Sequence, residues 1–241
     1  MSARRLAELI TSRQPTVVLT GAGISTESGI PDFRSPTGIW ADVDPMDYAS
    51  LRAFRADPEK VWGFYAKRID MLTGAEPNDG HRAIAELERL GLVKAVITQN
   101  IDLLHTRAGS EDVVEVHGSI RTVSCFQCGR VYPLDESMLP VPRCECGGVL
   151  KPDVVFFGEL LPPAAIDRAY ELARSAALML VVGSALEVYP VAELPLETVL
   201  AGGSLAIVNR GETPLDAKAE LKIDGSAGET LSAVLAEVTD A

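Results

Sequence analysis

TVVLTGAGISTESGIPDFRS, residues Thr16–Ser35, runs from a β-branched apolar stretch straight into a glycine-rich turn. Thr16–Thr20 has the composition of a strand buried on both faces. In the turn behind it, Gly21 and Gly23 leave room for backbone N–H groups and a helix N-terminus to approach a pyrophosphate. Thr26 stands where a dinucleotide fingerprint carries its third glycine, so the GxG by itself fits a tight strand-to-helix turn equally well. Asp32, Phe33 and Arg34 follow closely. A carboxylate, a ring and a guanidinium at that distance could order a flap over a cofactor.

Outward from this stretch, similar runs recur at Lys94–Thr98, Val113–Val116, Leu178–Val182 and Leu205–Val208, each bounded by Gly, Asn or Ser. Between them lie helical patterns. His81–Leu90 has apolar residues at Ile84, Leu87 and Leu90, and Pro162–Ser175 has Ala165, Ala169 and Leu172 on one face. Alternating strands and helices predict a doubly wound, Rossmann-type α/β fold with a parallel sheet. Two segments break the rhythm. Residues 36–78 are rich in Asp, Pro and aromatics and read as a helical insert, and 121–151 holds all four cysteines and reads as a small ribbon. The expected division is therefore a nucleotide-binding domain of 1–35, 79–120 and 152–241, with 36–78 and 121–151 forming a smaller discontinuous one.

Composition narrows the function classes. The 241 residues carry a net charge of −12, with 47% apolar and 23% charged residues, as in globular proteins. Such acidity disfavours direct binding to nucleic acid or anionic membranes. MSARRLAELI reads as the start of an amphipathic helix rather than a signal peptide, and the longest greasy run, Ala176–Gly183, is too short to span a bilayer. A cytoplasmic, monomeric protein is expected.

Three further features carry chemistry. In TQNIDLLHTRAG (Thr98–Gly109), Gln99, Asn100, Ile101 and Asp102 follow a strand, and loops at the carboxyl ends of strands line the ligand crevice of such sheets. Asn and Asp there also serve as helix caps, and His105 reads as a packing or hydrogen-bonding residue. In EVHGS (Glu115–Ser119), His117 is the candidate general base, because imidazole titrates near working pH. Cys125-x-x-Cys128 and Cys144-x-Cys146, fifteen residues apart, can close a tetrahedral site of four thiolates. A closed site of this kind is structural zinc. The second knuckle is one residue short, and Gly147-Gly148 behind it supplies the freedom a cramped turn needs. A redox dithiol is the competing reading.

Taken together with LKPDVVFFGE (Leu150–Glu159), VVGSALEVYP (Val181–Pro190) and AIVNRGETP (Ala206–Pro214), these blocks resemble those of the sirtuin family, in the family's order and over nearly the whole chain. The resemblance implies NAD as cofactor and one structural Zn2+. It places Gly21, Ala22, Gly23, Glu27, Ile30, Asp32, Phe33, Arg34, Gln99, Asn100, Ile101, Asp102, His117, Gly183, Ser184, Asn209 and Ala227 at cofactor-binding positions. His117 and Asn100 fall on catalytic positions. Val155, Phe156, Phe157, Gly158, Glu159, Val188 and Tyr189 fall on two strands that sandwich an extended peptide carrying an acylated lysine, a β-augmentation mode. The implied activity is NAD-dependent protein-lysine deacylation, yielding nicotinamide, deacylated lysine and O-acyl-ADP-ribose. Rival readings are a protein ADP-ribosyltransferase and a non-catalytic NAD sensor. His117 and the peptide-binding blocks disfavour the first, and His117 with Asn100 disfavours the second.

The acyl class stays open. Tyr65 and Arg68, with Tyr65 eleven residues before Glu76-Pro77-Asn78, resemble the pair that binds the distal carboxylate in sirtuins preferring succinyl- and malonyl-lysine. Against this, Ser35–Gly38 and the Gly183-Ser184 pair look like those of deacetylase-type members, and Tyr65 and Arg68 could simply face one side of an insert helix.

Overall fold

The computed structural model describes residues 2–33, 35–135 and 141–240. β1 (Thr16–Thr20) lies inside a six-stranded parallel sheet with β2 (Ala95–Thr98), β3 (Val113–Glu115), β7 (Leu178–Val182), β8 (Ser204–Val208) and β9 (Leu221–Ile223), in the order β3-β2-β1-β7-β8-β9. Every residue of β1, β2 and β7 is buried. That is why these strands read as continuous apolar runs rather than alternating ones. β9 escaped the sequence reading because it is a three-residue edge strand, LKI, of intermediate exposure with a lysine at its centre.

The chain leaves β1 toward β2 on one side of the sheet and returns to β7 on the other, so the strand order reverses between β1 and β7. At such a switch point the loops splay apart and leave a crevice above the strand ends. Helices cover both faces. α1 (Ser2–Ser12), α5 (Asp79–Arg89) and α9 (Ala227–Thr239) pack Leu6, Ile10, Ile84, Leu87 and Leu231 against one face. α7 (Pro163–Ser175) and α8 (Leu194–Leu200) pack Ala169, Leu172 and Leu194 against the other. The short α6 (Leu104–Ala108) follows the loop that leaves β2.

A third core lies beyond the crevice. α2 (Pro45–Tyr48), α3 (Leu51–Ala56) and α4 (Pro58–Gly74) start at Asp44, Ser50 and Asp57, whose side chains each accept a backbone N–H of the first turn. They pack Phe54, Trp62 and Ile69 on an antiparallel sheet of β5 (Val131–Pro133), β4 (Gly118–Cys125) and β6 (Leu150–Val154). The Trp62 indole N–H donates to the Leu150 carbonyl at 2.7 Å, so the ring is buried without an orphaned donor.

The two segments expected to be peptide-binding strands are irregular. Phe157 makes one isolated bridge, to Ser50, and 188–190 form bends and turns before a short 3-10 helix at Val191–Glu193. Lacking a continuous ladder, the first of them is held by single backbone bonds to His117, Ala49 and Leu51 and by side chains. Lys151 is buried and pairs with Glu159 at 3.1 Å, while Glu159 accepts the Phe156 N–H at 2.8 Å.

Candidate active site

The glycines of Thr16–Ser35 meet their reason at the β1/β7 switch. A Cβ on Gly21 would lie 2.8 Å from the Gly183 carbonyl oxygen, and one on Gly23 would lie 2.8 Å from the Gly183 Cα. Gly183 itself has φ +61°, and its Cβ would sit 2.3 Å from the Ile24 nitrogen. Two loop backbones therefore cross in van der Waals contact, and the Gly23 N–H donates to the Gly183 carbonyl at 2.9 Å. Gly183→Ala combines a left-handed φ with a backbone clash, so nucleotide affinity is expected to fall by about tenfold or more. Calorimetric titration with ADP-ribose measures the loss.

Above this crossing opens a cavity of about 910 Å³, large enough for a dinucleotide together with a side chain. Its wall brings together Gly21, Ala22, Gly23, Ile30, Asp32, Phe33, Gln99, Asn100, Ile101, Asp102, His117, Gly183, Ser184 and Asn209. Tyr65, Arg68, Val155–Glu159, Val188 and Tyr189 also line it. Glu27 and Ala227 lie off the wall. The Glu27 carboxylate instead accepts the Gly228 N–H at 3.4 Å, at the N-terminus of α9, where negative charge is favoured. Arg34 lies outside the described residues.

The polar floor is tightly bonded. Asn100 donates through Nδ2 to the Gly21 carbonyl and to Ser25 Oγ, both at 3.1 Å. Ser25 Oγ donates to Asp102 Oδ2 at 2.7 Å, and Asp102 Oδ1 accepts the Leu104 N–H at 3.0 Å. Burial pushes the Asp102 carboxyl above the usual carboxylate range, against these hydrogen bonds. Gln99 reaches Ser184 Oγ at 2.9 Å across the switch point. Leu103 and Leu186, just past Asp102 and Ser184, hold φ of +64° and +55°. Strain of that kind in non-glycine residues clusters at functional sites.

His117 sits where the parallel sheet gives way to the ribbon. Its Nδ1 faces the Gln99 carbonyl at 3.1 Å. A carbonyl only accepts, so Nδ1 carries the proton and Nε2 keeps its lone pair. Burial lowers the imidazole pKa, outweighing the opposing hydrogen bond to Gln99, so the ring is neutral at working pH. Its position depends on Gly118, which has φ +72° and whose Cβ would meet the Asp153 carbonyl oxygen at 2.0 Å.

Sequence reasoning missed Ser25 and His81. Ser25 is fully buried and bonds Asn100, Asp102 and His81. His81 is buried against His105, ring centroids 4.8 Å apart, and burial holds its pKa down to about 4. A serine in a glycine-rich turn and a histidine early in an amphipathic helix carry no local signal of such contact. The folding of α5 under the loop creates it.

The four cysteine sulfurs lie within 4.8 Å of one another. Cys125–Cys146 are 3.5 Å apart and Cys128–Cys144 3.6 Å, against the roughly 3.8 Å edge of a tetrahedron with Zn–S bonds of about 2.3 Å. The short second knuckle closes because Gly147 takes φ +85° and a Cβ on Gly148 would meet Cys125 Sγ at 2.9 Å. The donor set and its spacing fit zinc.

A parallel sheet with a glycine cradle and bonded carboxamides at its switch point, beside a four-cysteine ribbon, defines a dinucleotide-binding protein with a zinc-stapled second module. The profile of the Sir2 family matches residues 21–190. Across its length the chain is 43% identical to NAD-dependent protein deacylase 1 of Archaeoglobus fulgidus, covering 98% of each. It is 48% identical to an NAD-dependent protein deacetylase of Caldivirga maquilingensis, covering 98% of this chain and 93% of that one. A solved complex of Sir2 with a p53 peptide and NAD+ superposes with a TM-score of 0.92 at 42% identity, covering 100% of both chains. A crystal structure of a Sir2 homologue with NAD gives 0.92 at 43% identity, covering 98% of this chain and 93% of that one. The chain belongs to the Sir2 family.

Proposed function

We propose that the protein is an NAD-dependent protein-lysine deacylase. The observation that carries this reading is one cavity lined both by the Gly21–Gly23/Gly183 cradle and by Phe156–Glu159 and Val188–Tyr189, with His117 bonded to Gln99 and to Val155. A solved relative at 42% identity is a complex with NAD+ and a peptide. Bound NAD supplies the electrophilic ribose carbon and the leaving nicotinamide. Gln99, Asn100, Asp102 and Ser184 orient the ribose and nicotinamide, and Ile30 with Phe33 keeps water from the reacting carbon. His117 Nε2 removes a ribose hydroxyl proton, Nδ1 being held by Gln99. The zinc of the four cysteines is structural, and 36–78 with 121–151 form a module that closes the acyl-lysine side. The substrate is an acylated lysine in a protein. A cytoplasmic monomer suits the composition, and none of the described helices is long and apolar enough to cross a membrane.

A second reading, preference for acidic acyl groups, is supported by Arg68. Its guanidinium lies 4.0 Å over the Phe64 ring beside Tyr65 in the cavity wall, and among the described residues no carboxylate pairs with it. Burial lowers its pKa to about 10, so it stays charged, while burial also keeps the Tyr65 phenol protonated. A distal carboxylate would find both a cation and a hydroxyl donor.

Matched acetyl-, succinyl- and malonyl-lysine peptides, followed by mass spectrometry of deacylated peptide and O-acyl-ADP-ribose, test both readings. If Arg68 selects the acyl group, succinyl or malonyl is removed fastest, and Arg68→Met lowers that kcat/KM by roughly 10- to 100-fold with far less effect on acetyl. Acetyl removed best, with Arg68→Met near wild type, makes Tyr65 and Arg68 scaffold. No acyl removal at all sinks the deacylase reading.

A further inference from the structure

An unbroken aromatic ladder joins the two ends of the cavity. Phe33, on the loop that follows the glycine cradle, stacks on Trp40 with centroids 5.6 Å apart and planes at 23°. Trp40 stacks in turn on Phe64 of α4 at 5.7 Å and 10°. Phe64 meets Tyr65 edge-on at 5.6 Å, and Tyr65 packs on Phe156 of the peptide-side segment at 5.3 Å. Arg68 closes the ladder from above, with Cζ 4.0 Å from the Phe64 centroid and 5.6 Å from that of Trp40. The backbone reinforces the first step, because Trp40 N–H donates to the Phe33 carbonyl at 3.0 Å and Ile39 N–H to the Asp32 carbonyl at 2.7 Å.

This arrangement has a mechanical consequence. Among its described residues, the segment from Pro31 to Val43 contains no helix or strand, so its placement in the cavity wall it shares with the cradle depends on side chains. Trp40 is its aromatic anchor to α4, wedged between the ring that faces the cofactor side and the ring that carries Arg68. Offset stacking fixes the distance and tilt of both partners, which an aliphatic side chain of similar bulk does not.

We propose that Trp40 is a positioning residue for the cofactor: it holds Phe33 over the glycine cradle, and it couples Arg68 at the acyl end of the cavity to nucleotide binding at the other end. This rests on the reading of the Gly21–Gly23 side as the NAD site. Arg68 supports the stack from the outside, so losing its cation over the two rings loosens Phe33 although Arg68 itself stands on the acyl side.

The test is the affinity for ADP-ribose, without acyl substrate, measured by calorimetric titration on zinc-loaded wild type, Trp40→Leu, Trp40→Phe, Arg68→Met and Trp40→Leu/Arg68→Met. Trp40→Leu is expected to weaken binding about tenfold and Trp40→Phe to recover most of that loss, since Phe restores a stacking ring. Arg68→Met weakens binding by about threefold in the wild-type background and adds nothing in the Trp40→Leu background, because the two act through one stack. Intrinsic fluorescence gives an independent readout. The chain has two tryptophans, and Trp62 is fully buried, so ADP-ribose should change the emission of wild type and leave that of Trp40→Phe nearly unaltered. Melting curves accompany each variant, as a merely structural Trp40 would shift the melting temperature and leave the affinity of the folded protein alone. Trp40→Leu binding ADP-ribose as tightly as wild type, or additive losses in the double variant, overturns the proposal. Wild type binding ADP-ribose but removing no acyl group would sink the deacylase reading and leave this one standing. Wild type failing to bind ADP-ribose sinks both.

Discussion

His117→Ala is expected to lower kcat by a factor on the order of 10² to 10⁴, while ADP-ribose affinity and melting temperature stay near those of wild type. The imidazole is held for one task. Nδ1 is committed to the Gln99 carbonyl, and Nε2 is the free basic nitrogen facing the cavity wall it shares with Asn100 and Asp102. Removing the ring leaves that bonded floor of Asn100, Ser25 and Asp102 in place, so binding survives while proton removal does not. The pH profile carries the same signature. Burial lowers the His117 pKa from its ordinary 6.5. A base works deprotonated, so lowering its pKa extends activity toward acid, and the acidic limb of kcat/KM for the wild type falls below pH 6.5. A His117→Ala enzyme as fast as wild type would remove the histidine from the chemistry.

Removal of zinc by a strong chelator is expected to lower the melting temperature by roughly 10 °C or more, with turnover lost in parallel. Cys125 and Cys144 are buried members of the third core, beside Leu150, Val123 and Phe156. β4, which ends at Cys125, begins at Gly118 immediately after His117, and β6 leads to Val155, whose N–H donates to the His117 carbonyl at 2.8 Å. Loosening the ribbon therefore moves both His117 and the 155–159 segment. Metal content, differential scanning fluorimetry and nicotinamide release on one preparation decide the matter. Turnover lost at an unchanged melting temperature would make the zinc something other than structural.

How much of this was legible in the residues varied with the range of the interaction. TVVLT and LMLVV announce buried parallel strands because both faces of each strand are covered, a property that composition alone reports. LKI, β9, does not, since an edge strand with one lysine looks like any polar loop. The four cysteines are legible because metal ligation restricts residue type and spacing, down to the glycines behind the short knuckle. The peptide-side segments were expected as strands, but 157 and 188–191 carry an isolated bridge, turns and a 3-10 helix. The first keeps its course through the Lys151–Glu159 pair and neighbouring backbone rather than through a ladder of its own.

By itself the sequence determined the strand and helix rhythm, the zinc ligands, and which loops bear carboxamides, glycines and a histidine, because each of these is set by local propensity or by the chemistry of a few adjacent residues. Only the tertiary structure decided that Gly21, Gly23 and Gly183 interlock from the loops after β1 and β7, strands adjacent in the sheet but far apart in sequence. It likewise decided that Gln99 fixes the tautomer of His117, that Ser25 bonds Asn100, Asp102 and His81, and that Trp40 bridges Phe33 to Phe64. The glycine crossing exists only because the sheet reverses its order between β1 and β7, and the other contacts join segments distant in sequence, so no pattern within a single segment encodes which surfaces meet.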